Sequence, residues 1–427
     1  ARKMDSSWPT PFPVDLFGEP QEFNDSSATA VLGSLVRIEK TKLGQGQFGA
    51  VHIARIPGAK SVAAKIFRNP EKERFDEIVI KELRIALKLR HPNIAACYGA
   101  MQCKQWPVMF FEHVDGVTLK EMYLAAWGKR SFLTEATLRP IFLQVLQVLH
   151  YLETAKVVHV DLKYDNVMVR RDGVVKLIDF GVAQDIAEGK SMKLQPQMYT
   201  HPPEVELAGM GGYDNKADIF FAGSLLYFLL CYIHPFGDFQ NLTSGERVQK
   251  IAEGVNKTDE RYKTLSRHVR RLIDVMVAYH PDERPTAAQA LQVSWFTRAR
   301  EHQQPELISY EPPVIPQTAE DLNTKALTRL AVNLAVLKDE LVPTILKDDN
   351  SWQSIAYRAT VHEMEVLAPK TPANTTQTLP SERTGRSTTS KSVDEGKGSS
   401  LEKSDSAAET TPTTTGKGSS RKCCVIS

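Results

Sequence analysis

The chain has 427 residues, of which 42% are hydrophobic and 24% are charged. This composition is that of a globular protein long enough for more than one domain or lobe. The formal net charge of +2 gives no overall attraction to nucleic acid or to an anionic membrane. The five cysteines are too few and too scattered for a disulfide framework, so we expect reduced thiols in an intracellular protein.

The first part of the chain predicts an irregular segment followed by strands. Residues 1–36 are rich in Pro and Ser and show little periodicity, which predicts an N-terminal extension, and no signal peptide is visible. Residues 35–67 are strand-like, with VHIARI and VAAKIF on either side of a Pro57-Gly58 turn.

Helices are predicted next. The Asn-Pro-Glu sequence at 69–71 has the order of an N-cap, a first helical residue and an acid, so it predicts the start of a helix. That helix carries Glu82 and stops at His91-Pro92. After the buried strand in PVMFFEHVDG, helices dominate, and the longest is predicted over 135–154, where apolar residues form one stripe.

Two short strands interrupt the helical part. The sequence NVMVRRDGVVKLIDFG places Asp172-Gly173 between two apolar runs, which is a strong hairpin signal. The apolar run at 219–233 is shorter than the roughly 20 residues that span a bilayer, so it predicts a buried core helix. A small strand-rich part therefore precedes a larger helical part.

The composition changes after about residue 300. Residues 322–341 place leucines at alternating three- and four-residue steps, which predicts one helix with an apolar stripe. We favour packing of this helix on the helical part of the chain, and the alternatives are that it dimerises or folds back on the domain formed by the preceding residues. From about residue 370 the chain is rich in Thr, Ser, Lys and Gly without an aromatic residue, which predicts disorder.

A glycine-rich motif is the first chemical signal. LGQGQFGAV places Gly44, Gly46 and Gly49 in a G-x-G-x-x-G frame, in which backbone N–H groups can approach phosphates closely. The motif alone is weak, because ordinary hairpins and dinucleotide sites share it. A dinucleotide fingerprint opens a helix. Here another strand follows, which argues against a dinucleotide site and leaves a hairpin that covers phosphates.

Lys65 lies among apolar neighbours on the strand after this hairpin. A charge in such surroundings needs a partner, and Glu82 on the following helix can supply the carboxylate. A lysine held in this way can bind the phosphates of a nucleotide. Taken singly, Lys65 would be a solvated strand residue and Glu82 an exposed helix residue, so only their pairing favours a site.

Polar residues after two short apolar runs complete the pattern. In VVHVDLKYDN, Asp161 can accept a hydroxyl proton, Lys163 can neutralise a transferring phosphoryl group, and Asn166 offers a neutral oxygen to a hard cation. Asp179 in IDFG is a carboxylate ligand suited to Mg²⁺. Phosphoryl transfer needs these parts, because its catalysis is mostly positioning and charge stabilisation.

On these motifs the chain resembles a eukaryotic-type protein kinase of the serine/threonine type from about residue 37 to 298. Pro202-Pro203-Glu204, and Arg284 as its expected partner, resemble further elements of that family. The resemblance implies an α+β, two-lobed fold with a small mainly-β N-lobe and a larger mainly-α C-lobe. The predicted boundaries are 1–36 for the N-terminal extension, 37–116 for the N-lobe and hinge, 117–298 for the C-lobe, 299–368 for a helical extension and 369–427 for a disordered tail.

The resemblance also implies ATP and Mg²⁺ as cofactors and proteins as substrates. Asp161 would be the catalytic base, Lys163 would neutralise phosphate charge, and Asn166 and Asp179 would bind Mg²⁺. The expected nucleotide contacts are Leu43, Gly44, Gly46, Gly49, Val51, Ala63, Lys65, Glu82, Glu112 and Val114, the last two in the hinge.

Two departures from the family pattern bear on activity. Val160 stands in place of the arginine of H-R-D, which normally pairs with a phosphate on the activation loop, so we expect altered regulation. Gln197 falls near the position at which serine/threonine kinases usually carry a threonine that contacts the catalytic aspartate and lysine. These departures keep an alternative open, a nucleotide-binding pseudokinase scaffold without catalysis.

The last residues predict a lipid anchor. Cys424-Val-Ile-Ser fits C-a-a-X with a farnesyl-type terminal residue, and Cys423 is a possible palmitoylation site. Arg421 and Lys422 would add attraction to anionic lipid. We therefore expect a cytoplasmic enzyme, held peripherally on a membrane surface, monomeric and without a nucleic-acid partner. The alternative is two unmodified, exposed cysteines.

Overall fold

The computed structural model describes residues 30–32, 36–46, 49–68, 72–103, 106–187, 201–207, 212–238, 242–297, 307, 316, 318–334, 336–347 and 352–365. The predicted N-cap at 69–71, the expected disordered tail and both C-terminal cysteines lie outside these residues. Among the helices in these ranges, none is long and apolar enough to cross a membrane.

A six-stranded antiparallel sheet forms the first lobe, with the strand order β1-β2-β3-β4-β6-β5. Its strands are β1 (Ala30–Leu32), β2 (Val36–Gly46), β3 (Gly49–Arg55), β4 (Ser61–Phe67), β5 (Cys97–Cys103) and β6 (Trp106–Glu112), and helix α1 (Lys72–Lys88) follows β4. β1 lies inside the stretch that we predicted to be irregular. A strand of three residues is too short to show a periodic pattern, and its conformation comes from pairing with β2.

The two faces of this sheet have different neighbours. Successive side chains of a strand point to opposite faces. On β4, Ala64 and Ile66 belong to an apolar cluster on one face. Phe67 packs with residues of α1 on the other face, and Lys65 reaches α1 there through Glu82. The face that carries Lys65 is therefore the one next to α1.

The second lobe is mainly helical. Its elements are β7 (Gly116–Thr118), α2 (Leu119–Gly128), α3 (Glu135–Ala155), β8 (Val157–Val158), β9 (Val167–Arg170), β10 (Val175–Leu177), β11 (Gln184–Asp185), α4 (Pro203–Glu206), α5 (Lys216–Cys231), α6 (Ser244–Ala252), α7 (Glu260–Thr264), α8 (Arg267–Met276), α9 (Ala287–Leu291) and α10 (Ser294–Thr297). Strands β10, β9 and β7 form a three-stranded sheet, and β11 pairs with β8.

The sequence predicted the main elements of this lobe correctly. The long helix predicted over 135–154 is α3, which begins after Thr134, whose side chain accepts a hydrogen bond from the Thr137 N–H. The predicted hairpin is β9–β10. The apolar run at 219–233 falls in α5, which is buried on nearly all sides in the core of this lobe. With the sheet of the first lobe, this confirms the predicted two-lobed α+β fold.

The third part is a helical extension that comprises α11 (Thr324–Leu334), α12 (Lys338–Lys347) and α13 (Trp352–Glu365). We predicted one helix over 322–341, and this is wrong. The N–H of Val336 donates to the carbonyl of Ala331, a six-to-one bond typical of a helix C-terminus. Leu337, one of the predicted stripe residues, is 70% exposed between the two helices.

The favoured packing of this extension on the helical lobe is also wrong. Leu327 and Leu330 of α11 and Ile355 of α13 join an apolar cluster with the sheet, on the face opposite α1. Among the described residues, none of the extension belongs to the apolar cluster of the helical lobe. The alternative of folding back is confirmed, because the extension covers a sheet face whose apolar residues would otherwise meet water.

A buried leucine of α11 tests this packing. Leu330 is fully buried beside Gly58, and a Cβ at Gly58 would lie only 2.7 Å from Leu330 Cδ1. We expect Leu330→Ala to lower the free energy of unfolding by about 2–5 kcal/mol, because it leaves a cavity between helix and sheet. Val332 on the same helix is 74% exposed, so Val332→Ala should change it by less than about 0.5 kcal/mol.

Urea denaturation of the full chain measures both variants against the wild type. Equal losses of stability in the two variants would contradict the packing of α11 on the sheet, since Leu330 is buried and Val332 is exposed.

Candidate active site

The glycine-rich segment forms the predicted hairpin. The β2–β3 register pairs Gly46 with Gly49 and Gly44 with Val51. A Cβ at Gly49 would lie 1.8 Å from the carbonyl oxygen of Ile66, so only glycine fits there. Among the described residues, a Cβ at Gly44 or Gly46 would meet no atom within 4 Å. The backbone of the hairpin therefore has open space beside it, as the approach of a phosphate requires.

The apolar residues predicted to contact a nucleotide lie on neighbouring strands and on the hinge. Val51 is opposite Lys65 in the β3–β4 register, and Ala63 shares its strand face with Lys65. Ala63 and Val114 are buried, whereas Leu43 on β2 is 45% exposed. The strand register thus brings Val51 and Ala63 to the face of the sheet that carries Lys65.

Lys65 joins three elements through its ammonium group. Its Nζ lies 2.6 Å from Glu82 Oε1 on α1 and 2.8 Å from Asp179 Oδ1, which follows β10. Burial favours a neutral lysine, but the charges of Asp179 and Glu82 outweigh it and raise the pKa of Lys65. Burial likewise opposes ionisation of Asp179, yet Lys65 holds the pKa of that carboxyl at about 2. Asp179 is therefore ionised at neutral pH.

This cluster has more negative than positive charge. One lysine serves two carboxylates, and Glu82 Oε2 is buried without a hydrogen-bond partner in the described part of the chain. Burial raises the pKa of Glu82 to about 7, and the nearby Asp179 adds to this effect while Lys65 opposes it. A cation beside Asp179 would offset the excess negative charge.

Asp161 is held through one of its two carboxylate oxygens. Lys163 Nζ lies 2.8 Å from Asp161 Oδ2, and Asn166 Nδ2 donates to the same oxygen at 2.8 Å. Asn166 also donates to the carbonyl of Asp161. Asp161 Oδ1 is buried and has no hydrogen-bond partner among the residues described. The carboxylate is thus fixed in orientation, with one oxygen left to accept a proton.

The backbone before Asp161 is held in a strained conformation. Val160 has a φ of 66°, which is unfavourable for a β-branched residue and costs about 1–3 kcal/mol. Asp218 at the start of α5 offsets this cost, because its two carboxylate oxygens accept the N–H groups of His159 and Val160 at 2.7 and 2.8 Å. The Val160 side chain packs in the core of the helical lobe.

The two predicted metal ligands lie on adjacent segments. The N–H of Ile178, next to Asp179, donates to the carbonyl of Asn166 at 2.9 Å. The His159 and Phe180 rings pack edge to face with centroids 4.8 Å apart, which further joins these segments. Asp179 itself has a φ of 62°, which a short polar side chain tolerates.

These ligands fit Mg²⁺ that arrives with a nucleotide. Mg²⁺ is usually bound by one or two carboxylates together with substrate phosphates. Asp179 supplies an ionised carboxylate, and the amide of Asn166 donates through its nitrogen, so its oxygen is the atom for a cation. In the described ranges, no cluster of three or more His, Cys, Asp or Glu residues forms a separate metal site.

The predicted partner of Glu204 is correct. Arg284 is almost fully buried and donates through Nη1 and Nη2 to the two carboxylate oxygens of Glu204 at 2.6 and 2.9 Å. This bidentate pair anchors the segment after residue 201 to the helical lobe. Gln197 lies outside the described residues.

The hinge shows two residues that sequence reasoning missed. Glu112 Oε2 lies 2.7 Å from Lys176 Nζ on β10 and 3.1 Å from His362 Nε2 on α13. The Glu112 side chain is thus engaged, and a contact with a nucleotide would come from its backbone. Lys176 lies between Val175 and Leu177, so the argument applied to Lys65 would have found it. Nothing in the sequence places His362 beside Glu112.

Comparisons with known proteins agree with this geometry. A family profile described as "Protein kinase domain" matches residues 38–296. The chain is 30% identical over 260 residues to sperm motility kinase 1 of Mus musculus, which covers 60% of this chain and 51% of that protein. It is 27% identical over 275 residues to serine/threonine-protein kinase cds1 of Schizosaccharomyces pombe, covering 61% and 58%.

The alignments thus span about half the length of these curated relatives. The family profile, in contrast, covers more than half of this chain and contains the residues that meet around Lys65 and Asp161. On this match, the chain belongs to the protein kinase family.

Proposed function

We propose that this protein is an active serine/threonine kinase that transfers the γ-phosphate of Mg-ATP to protein hydroxyls. The observation that carries the proposal is the state of Asp161. One carboxylate oxygen is fixed by Lys163 and Asn166, and the other is buried and unpaired in the described structure. This is the arrangement expected of a general base that awaits the proton of a substrate hydroxyl.

The remaining side chains divide the charge of the reaction. Lys65, fixed by Glu82 and Asp179, binds nucleotide phosphates, and Lys163 beside Asp161 neutralises charge on the phosphoryl group in transfer. Asn166 and Asp179 would hold Mg²⁺, which supplies charge neutralisation to the phosphates when bound. Lys163 and the likeness to a serine/threonine-protein kinase support serine and threonine as acceptors.

Val160 supports altered regulation of this activity. An arginine at this position would reach a phosphate on the activation loop. Here the side chain is apolar and buried, so it offers no charge to a phosphate. The backbone before Asp161 is held by Asp218, which accepts two backbone N–H groups without any phosphate. We infer that phosphorylation of the activation loop affects this kinase less than it affects family members with arginine.

The first test replaces the base. Asp161→Asn keeps the shape of the side chain and removes proton acceptance, so we expect the rate of phosphate transfer to fall on the order of 10²- to 10⁴-fold. Radiolabelled Mg-ATP with generic protein substrates measures this rate. Asp172→Asn, in the exposed turn of the β9–β10 hairpin, is the matched control and should leave the rate unchanged.

The alternative function makes a different prediction for the same assay. A folded wild-type chain that binds Mg-ATP but transfers no more label than Asp161→Asn would be a nucleotide-binding pseudokinase scaffold, and the proposal of catalysis would be wrong.

Glu82 gives a prediction for pH. Burial raises the pKa of Glu82 from an ordinary 4.5 in the unfolded chain to about 7 in the folded chain. Between these two pH values the folded chain holds a proton that the unfolded chain has released. Its contribution to stability is therefore fully present below pH 4.5 and is lost as pH rises through about 7. Glu82→Gln is neutral at every pH and lacks this loss, so we expect its unfolding midpoint, measured relative to the wild type, to rise between about pH 5 and about pH 8.

The rate of phosphate transfer should be lower in Glu82→Gln than in the wild type, because glutamine holds Lys65 less firmly than an ionised glutamate does. Thermal unfolding at several pH values and the transfer rate at about pH 8 measure the two effects. The control is Glu320→Gln, at an exposed position of the extension. A difference in unfolding midpoint between Glu82→Gln and the wild type that is the same at both pH values would refute the raised pKa of Glu82.

We also propose that Cys424 is farnesylated and that the lipid tethers the kinase to a membrane, with Cys423 or the basic Arg421-Lys422 pair as second signal. The support is the C-a-a-X pattern, and the proposal requires Ser427 to be the terminal residue before processing. Intact-mass measurement of protein from eukaryotic cells should show a farnesyl adduct in the wild type and in Cys423→Ser. Cys424→Ser should lack it, and an unmodified wild type would refute the proposal.

A further inference from the structure

The end of α13 reaches the hinge between the two lobes. Glu112 is the last residue of β6, and the chain passes from it through 113–115 into β7 of the helical lobe. Its carboxylate oxygen Oε2 lies 2.7 Å from Lys176 Nζ and 3.1 Å from His362 Nε2. A carboxylate can only accept hydrogen bonds when ionised, so the His362 nitrogen that faces it carries the proton. The N–H of Ala96 also donates to this oxygen, at 3.4 Å, so three separate parts of the chain bond to one hinge side chain.

This meeting point is buried and charged. Lys176 is fully buried, Glu112 is 6% exposed, and His362 has 11% of its side chain exposed. Burial would raise the pKa of Glu112, but the hydrogen bond from His362 and the charge of Lys176 hold that pKa below its ordinary value. Hydrogen bonds to charged groups are strongest in such places, and their loss leaves a buried acceptor partly unsatisfied.

Other contacts hold α13 in position beside the hinge. Arg358 donates to the carbonyl of Tyr98 on β5, and the Tyr98 ring lies 5.8 Å from the His362 ring. Glu363 forms ion pairs with Lys60, at the start of β4, and with Arg329 of α11. The helix is therefore fixed to the sheet at several points, and His362 approaches Glu112 from a rigid support.

Lys176 extends this connection toward the metal ligand. It lies on β10, and Asp179 follows three residues after Lys176 in the chain. Lys176 and Asp179 thus belong to one short segment, whose Ile178 also bonds to Asn166. A shift of Glu112 would consequently move the hinge and would also displace Lys176, which belongs to the segment that carries Asp179.

We propose that His362 is a positioning residue of the nucleotide site. It fixes Glu112 from the side of the sheet opposite Lys65, and thereby sets the hinge in the position that receives the nucleotide. The helical extension is then a working part of the nucleotide site and contributes to it without touching the nucleotide. This inference rests on the proposed binding of ATP at the hinge, and it does not require that phosphate is transferred.

The test uses three variants in the full chain. His362→Leu retains bulk and loses the donor, His362→Gln retains an N–H donor, and Glu320→Gln, the control, alters an exposed residue of the extension. We expect His362→Leu to raise the Kd and the KM for Mg-ATP about three- to tenfold, with kcat within about twofold. This is less than the full effect of losing a hydrogen bond to a charged group, because His362 acts on the nucleotide only through Glu112. His362→Gln and Glu320→Gln should stay near the wild type.

Calorimetric titration with Mg-ATP measures Kd independently of catalysis, and thermal unfolding reports on folding. His362→Leu with an unchanged Kd would overturn the proposal, whether or not its unfolding midpoint falls, because the residue would then be structural only. If His362→Leu does not fold, His362→Asn, which is too short to reach Glu112, takes its place with the same expectation. A wild type that binds Mg-ATP without transferring phosphate would refute the catalytic proposal alone, whereas failure to bind would refute both.

Discussion

The arrangement of the two lobes depends on the ion pairs that the ammonium group of Lys65 forms. It joins the sheet, helix α1 and the segment that carries Asp179, within 2.6 Å of Glu82 and 2.8 Å of Asp179. Because Glu82 is 1% exposed and Lys65 is nearly as buried, neither charge can be moved into water without breaking the contact between these elements. The same interaction leaves Asp179 ionised and ready for a cation. A structural requirement and a chemical one are thus met by a single side chain.

The sheet separates this charged cluster from a large apolar contact. Its strands alternate between residues that face α1 and residues that face the helical extension, so each strand contributes to both sides. An apolar sheet face of this size would be a liability in water, and α11–α13 cover it. The extension therefore stabilises the strands that carry the glycine hairpin and Lys65. At Glu112 it goes further, because His362 contacts a hinge residue directly.

Local periodicity was sufficient for a small strand-rich part before a larger helical part, and the resemblance carried by short motifs implied the two-lobed fold and the side chains around Lys65 and Asp161. Long-range contacts were harder. The leucine spacing of 322–341 correctly indicated an apolar face, but it could not identify the surface that the face covers or the interruption before α12. His362 lies 250 residues from Glu112 along the chain, and no spacing rule relates two such positions. Lys176, in contrast, was predictable, since a lysine within an apolar strand must have a charged partner.

Val160 and His362 together suggest where order in this site comes from. An arginine at position 160 would make the catalytic loop depend on a phosphate elsewhere in the chain. With valine, the left-handed backbone at this position is held by Asp218 and by packing of the side chain in the core of the helical lobe. The hinge, in turn, is held by a residue of the covalently attached extension. Both supports are permanent parts of the fold, since neither needs a modification or a second molecule. A kinase built in this way would have its nucleotide site assembled once the extension has folded onto the sheet, and its regulation would then act on access to substrate more than on assembly of the site.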